Sequence, residues 1–152
     1  MKYIKLTQNK QAVVDDGDHE ELSRYSWYYK QGYAVRNSEY SNDGKRTTIR
    51  MHREIMSTPT GFETDHINHD KLDNRRKNLR IVDRSQNMWN RKPQKGRSPY
   101  KGVTYNKKHG KWYAQIQKNG VKIHIGSYSS DIEASKAYQE AASRLHGTFA
   151  FI

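Results

Sequence analysis

The stretch Thr64–Arg80 reads TDHINHDKLDNRRKNLR, and the fold and chemistry of the chain turn on it. It sets three Asp, two His and three Asn among Lys and Arg. Side chains able to hold a metal or carry a proton stand here in a field of positive charge, which suits a polyanionic substrate. Just before it, TGFETDH reads as an extended piece ending at Asp65-His66. At its end, Leu79, Ile81 and Val82 suggest a short strand, and DRSQNMWNR then suggests a helix with Asp83 or Ser85 as cap. The order is strand, polar loop, strand, helix.

Hydrolysis of a phosphodiester needs a base that takes a proton from water and a positive group that neutralises the developing charge. Histidine is the natural base at neutral pH. Asp and Asn oxygens suit a hard cation such as Mg²⁺ or Mn²⁺, which also accepts phosphate oxygens. Asp65 and His66 are adjacent, so on a regular strand they face opposite sides. At a strand end they can serve one site as ligand and base, and the helix after residue 83 offers Asn87 as a third group.

The 152 residues allow one or two small domains. Only 33% are hydrophobic, so the 11 Tyr and three Trp must supply much of the burial. The formal net charge of +12 points to nucleic acid as partner, since no long apolar run or lipidation signal favours a membrane. Without Cys there is no disulfide framework, zinc ribbon or thiol nucleophile. The start, MKYIKLTQNK, has no signal-peptide core, and a cytoplasmic location is expected. Residues 71–97 hold ten basic and two acidic side chains and concentrate the positive excess. Ahead of the motif, YIKL, QAVVD, WYYKQGYAVR and RTTIRM read as short strands, Asp43-Gly44 as a hairpin turn, and HREIMS as a short helix stopped near Thr58-Pro59.

With these residues in view, TDHINHDKLDNRRKNLRIVDRSQN resembles the core of HNH endonucleases of the phage and homing type, a ββα-metal motif. The resemblance covers roughly residues 13–92, and MHREIM matches the His-Arg segment that often precedes the core. It implies that Asp65 and Asn87 hold one divalent cation, Mg²⁺ foremost with Mn²⁺ possible, that His66 activates water, and that Asn78 orients the loop or the base. The last motif position is Asn87 rather than His, which favours oxygen ligation. His69 reads as a loop residue or phosphate contact, and Asp73 and Asn74 as builders of the loop turn. His52 either supports the site, packs in the core or meets a phosphate. Arg53, Arg75, Arg76 and Lys77 are candidate phosphate contacts, with plain solvation as the rival reading.

The segment KPQKGRSP reads as a basic linker centred on residues 93–97. Beyond it, YKGVTYN, KWYAQIQK and VKIHIGSY are three strand candidates joined by KKHG and KNG. A helix, DIEASKAYQEAASRLHG, starts at Asp131 and ends at Gly147, with Ile132, Ser135, Ala137, Tyr138, Ala141, Ala142 and Leu145 on one side. Trp112, Ala114, Ile116, Ile123 and Ile125 are expected to face that helix, while Gln115, Gln117, Lys122 and His124 face outward. This order resembles the plant APETALA/ethylene-response-factor DNA-binding domain, which also occurs fused to HNH nucleases. The resemblance implies that the sheet docks in a major groove through Lys101, Thr104, Asn106, Gln115, Gln117, Lys122 and His124. Thr104, Asn106 and Gln117 depart from the plant pattern, so the plant target sequence does not carry over.

The expected architecture is α+β: a β-rich start leading into a ββα-metal core, then a three-stranded antiparallel sheet packed on one helix. The expected domains are 1–92, with its core at about 50–92, and 98–152. The expected protein is a monomeric, metal-dependent endonuclease acting on double-stranded DNA. Its rivals are a non-catalytic DNA-binding regulator with a relic core and an RNA-binding protein, both of which competition and cleavage assays separate.

Overall fold

The computed structural model describes residues 1–93 and 98–151. All but the first residue of the expected linker lies outside them. The chain forms two compact units, Met1–Asp83 and Arg84–Ile152, so the expected helix after residue 83 belongs to the second. The fold is α+β. Among the described residues no helix is long and apolar enough to cross a membrane.

In the first unit, β1 (Lys2–Lys5) and β2 (Gln11–Val14) pair antiparallel, with Ile4 opposite Ala12. Next comes α1 (Asp16–Leu22), a helix the sequence does not announce, because DGDHEEL offers one large apolar residue. Tertiary contacts hold it: Leu22 is buried, and its carbonyl accepts from Trp27 Nε1 at 2.8 Å. The segment WYYKQGYAVR is not one strand but a hairpin of β3 (Tyr28–Lys30) and β4 (Tyr33–Asn37). Its turn is Gln31-Gly32, with φ of 52° and 92°, the left-handed pair that a two-residue hairpin loop requires. β5 (Thr48–Arg50) completes a three-stranded sheet in the order β3-β4-β5, reached through the Asp43-Gly44 turn.

The expected strand RTTIRM stops at Arg50. Met51 instead opens α2 (Met51–Ile55) and is fully buried, because the core takes its side chain along with Ile55. The helix ends before Thr58-Pro59, where Ser57 takes a φ of 46°. β6 (Glu63–His66) and β7 (Leu79–Val82) then form an antiparallel pair around the quoted loop. Ile4, Val14, Trp27, Met51, Ile55 and Leu79 meet in one core, so strands and helices from across this unit share one burial.

The second unit starts with α3 (Arg84–Asn90). β8 (Val103–Asn106), β9 (Lys111–Lys118) and β10 (Val121–Tyr128) follow as an antiparallel sheet in the order β10-β9-β8. Asn119-Gly120, with φ of 52° and 80°, makes the tight β9–β10 turn. α4 (Asp131–His146) covers the sheet and starts with a Ser130–Glu133 capping box. Ala114 and Ile116 of β9 pack on Ala134, Tyr138, Ala141 and Ala142 of α4. Two details differ from expectation. Ile132 is exposed and Ala134 takes its place, because the buried stripe begins two residues later, at Ala134 and Ser135. Ile123 is partly exposed on edge strand β10, while Ile125 packs inward near a register shift between His124 and Gly126.

Gly102 shows how tightly this second core closes. Its φ is +69°, and a methyl group there would run into the Tyr138 ring and the Gln115 carbonyl. Gly102→Ala is expected to destabilise the second unit by about 2–4 kcal/mol, from overpacking and the left-handed backbone. Urea unfolding of the full chain checks this, and an unchanged midpoint would contradict the packing described.

Candidate active site

The β6–β7 pair sets Asp65 opposite Arg80 and His66 opposite Leu79. Alternation along β6 sends the two motif side chains to opposite sides. Asp65 Oδ2 accepts from Arg80 Nε at 2.9 Å and from the same guanidinium's Nη2 at 2.8 Å. His66, 5% exposed, turns its ring towards His52 and Tyr33, with ring centroids 4.8 Å and 6.2 Å away.

The loop between the strands is fastened from both sides. Asn78 Oδ1 accepts from the Asn68 backbone N–H at 3.0 Å, and Asn78 Nδ2 donates to the Asp73 carbonyl at 2.7 Å. This single buried amide ties the two ends of the loop together. Strand β2 clamps the middle: Val13 N–H donates to Leu72 O and Asn74 N–H donates to Val13 O, both at 2.8 Å. The amino-terminal hairpin thereby braces the motif loop, a contact no local sequence pattern announces.

Asn74 is fully buried and does more than shape the turn. Its Nδ2 donates to Leu72 O at 3.3 Å, which turns Oδ1 towards His66 Nε2 at 3.2 Å. A carbonyl oxygen only accepts, so Nε2 carries the ring proton and the lone pair falls on Nδ1. Burial pushes the His66 imidazole below the ordinary histidine range, opposed by the Asn74 bond and by Asp65, Asp70 and Asp73. Burial, with the His66 ring and the cations Arg50, Arg53 and Lys71 adding to it, pushes His52 down to about 3. Both imidazoles are therefore neutral at neutral pH. Lys71 Nζ and the Arg50 guanidinium lie 4.3 Å and 4.8 Å from the Tyr33 ring centre, so positive charge gathers beside the two rings.

The other expected site residues are placed as follows. Arg53 donates to the Phe62 carbonyl at 2.9 Å. Arg75 forms a two-pronged pair with Asp73, and Arg76 one with Asp18 at 2.7 Å. Asn87 is half-buried on α3 of the second unit. Thr104, Gln115, Gln117, Lys122 and His124 are exposed. The register sets Gln115 beside His124 and Gln117 beside Lys122, on the side of β9 away from Ala114 and Ile116. Asn106 Oδ1 accepts from the Lys108 and His109 N–H groups and shapes the turn after β8. Lys101 Nζ donates to the carbonyls of Met88, Trp89 and Arg91.

Among the described residues, no three His, Asp or Glu side chains gather into a metal cage. The donor chemistry fits a different kind of site. A single carboxylate such as Asp65 is the sparse kind of oxygen donor that Mg²⁺ takes when waters and substrate phosphates fill its other positions. The Nε and Nη2 bonds just named both reach Oδ2, so a cation on Asp65 shares the carboxylate with that guanidinium. Arg80, Asn74 and Tyr33 escape a reading by motif alone. Arg80 is signalled only through register, since it stands as far after the loop as Asp65 stands before it.

Comparison with known proteins bears on the same segment. A family model described as HNH endonuclease matches residues 57–89. An HNH endonuclease of Acanthamoeba polyphaga mimivirus is 31% identical over 137 residues, covering 85% of this chain and 67% of that protein. A dehydration-responsive element-binding protein of Arabidopsis thaliana is 39% identical over 57 residues, 36% of this chain and 16% of its own length. An AP2-like ethylene-responsive transcription factor of Oryza sativa subsp. japonica is 40% identical over 55 residues, 35% of this chain and 9% of its own length. The plant proteins are thus spanned only over a small part of their lengths. No solved structure matches the chain.

The His52 shift has a thermodynamic consequence. Its folded value near 3 lies below the unfolded value of 6.5, so between those values the unfolded chain takes up a proton that the folded chain refuses. The stability it contributes is fully present above pH 6.5 and is lost as the pH falls towards 3, by roughly 3–5 kcal/mol across the window. His52→Leu is expected to flatten the acid-side loss of stability in urea titrations between pH 6.5 and 4. Equal slopes for both proteins would contradict the burial described. Nitrogen chemical shifts should also report His66 as the Nε2–H tautomer; a proton on Nδ1 would contradict the Asn74 contact.

Proposed function

This chain belongs to the HNH endonuclease family, and from that premise we propose that it is a metal-dependent endonuclease that hydrolyses phosphodiester bonds of double-stranded DNA, of the homing or phage type. The observation that carries the reading is the His66–Asn74 contact next to Asp65. It leaves a neutral imidazole with its lone pair on Nδ1, the form in which histidine accepts a proton from water. Asn74 holds the ring by its far nitrogen and so fixes its direction. Asn78 holds the loop that carries Asn74. Arg80 orients the Asp65 carboxylate.

Asp65 and, by motif position, Asn87 are the oxygen ligands we assign to one divalent cation, Mg²⁺ foremost with Mn²⁺ as substitute. When bound, it supplies positive charge at the scissile phosphate and the leaving oxygen. Lys71 and Arg50 add fixed charge beside His66 and favour approach of a phosphate backbone. Arg76 is exposed, and a phosphate reaching it must compete with its pair to Asp18, a carboxylate that is only 15% exposed.

For the second unit we propose duplex docking through the outer face of β8–β10. Gln115, Gln117, Lys122 and His124 lie there with Thr104 and Asn106, and Gln and Lys match adenine and guanine edges in a major groove. The plant relatives named as an element-binding protein and a transcription factor match this same unit, which supports the assignment. The proposed protein works as a monomer in the cytoplasm.

Nicking of supercoiled plasmid with and without Mg²⁺ tests the activity. His66→Ala is expected to lower cleavage by about 10²–10⁴-fold while duplex affinity changes little. Cleavage by this variant at the normal rate would remove His66 from the role of base. Asp65→Ala should shift or abolish the Mg²⁺ dependence, and an unchanged Mg²⁺ titration would remove Asp65 as ligand.

A further inference from the structure

We propose that Lys101 is a positioning residue for cleavage rather than a DNA contact: it fastens the last turn of α3, the helix that carries Asn87, to the DNA-docking unit. The proposal rests on the reading of Asn87 as a cation ligand. α3 has seven residues, fewer than an isolated helix needs to hold its shape in water. Its last carbonyls have no partner within the helix and require one from elsewhere.

The Arg91 N–H reaches Met88 O at 3.3 Å, and Lys101 adds a charged donor to the same helix end. Its ammonium donates to Met88 O at 3.1 Å, Trp89 O at 2.5 Å and Arg91 O at 2.8 Å. An ammonium has three protons, so these bonds use its whole donor capacity and leave none for a phosphate. A positive charge at a helix C-terminus also meets the negative end of the helix dipole. Burial pushes the Lys101 ammonium down to about 8, and it stays charged at neutral pH.

Two further contacts hold the same turn. The Trp89 ring stacks on His146 of α4, with centroids 4.2 Å apart and planes within 4°. His146 Nε2 in turn lies 3.0 Å from Gln117 O on β9. The Phe151 N–H donates to Trp89 O at 3.2 Å, and its ring centre lies 5.6 Å from Lys101 Nζ. Asn87 immediately precedes Met88, the first carbonyl that Lys101 grips. The unit that docks on DNA therefore also fixes the helix turn that presents Asn87. In the plant-type domain the matching position is read as a DNA contact, and this chain turns that side chain inward instead.

The test uses the full chain with Lys101→Met, which keeps most of the stem and removes the ammonium. Duplex binding without divalent cation is measured against salt, cleavage is titrated with Mg²⁺, and amide exchange is followed in α3. Expected are an unchanged salt slope, faster exchange in α3, and cleavage lower by about tenfold to a hundredfold with more Mg²⁺ needed. A salt slope smaller by about one, with cleavage falling only in step with binding, would make Lys101 a phosphate contact and overturn the proposal. Normal cleavage with normal exchange would overturn it as well. If Lys101→Met loses the sheet, Trp89→Leu loosens α3 from its other side. That variant should lose cleavage and keep the salt slope, and normal cutting by it sinks the proposal. Asn87→Ala separates the two readings. If it cuts normally, the ligand assignment fails. If it is inactive while Lys101→Met cuts normally, only the fastening proposal fails.

Discussion

The hydrogen bond between His66 Nε2 and Asn74 Oδ1 is the constraint around which the first unit is built. A buried imidazole is useful as a base only if one nitrogen is held and the other keeps its lone pair. Asn74 does the holding, but an amide in a twelve-residue loop has no fixed direction by itself. Strand β2 fixes it by trading backbone hydrogen bonds with Leu72 and Asn74 on either side of Asp73. Asn78 closes the loop end to end. The amino-terminal hairpin, remote from the motif in sequence, thereby sets the protonation state of the candidate base.

The cost of this arrangement is a set of buried polar groups in a chain with little apolar mass. His52, His66, Asp65, Asp73, Asn74 and Asn78 are all buried. Each carboxylate in this set has an arginine partner: Arg80 for Asp65 and Arg75 for Asp73. The histidines remain acceptable because they are neutral, which burial itself enforces. Met51, Trp27 and Leu79 supply the apolar burial that holds these groups together. In the second unit the solution differs. Small residues on α4 let the helix sit close on the sheet, and Gly102 lets Tyr138 fill the remaining space.

The grouping of α3 with the second unit changes how the family motif is understood in this chain. The motif runs unbroken in sequence from Asp65 to Asn87, yet its helix takes its anchors from Lys101, α4 and the carboxy-terminal segment. A module similar to part of plant transcription factors is thus also part of the support for the motif helix. Lys101 illustrates how a residue at a recognisable motif position acquires a different task when a neighbouring helix end offers three carbonyls to one ammonium.

What the sequence by itself determined was local and periodic. The alternation of KWYAQIQK, the helical repeat of the Ala-rich segment and the tight turns at Asp43-Gly44 and Asn119-Gly120 depend on neighbours in the chain, whose φ/ψ preferences and face alternation act over a few residues. The Asp-His and Asn-Leu-Arg spacing around one loop was equally readable, because a two-stranded hairpin carries its geometry with it. Only the tertiary structure decided the rest: α1, the β2 clamp, the Asp65–Arg80 pair, the low pKa of His52 and the turning of Lys101 onto α3. Each arises where segments distant in sequence meet, and there desolvation and unsatisfied backbone groups, rather than local preference, choose the partner.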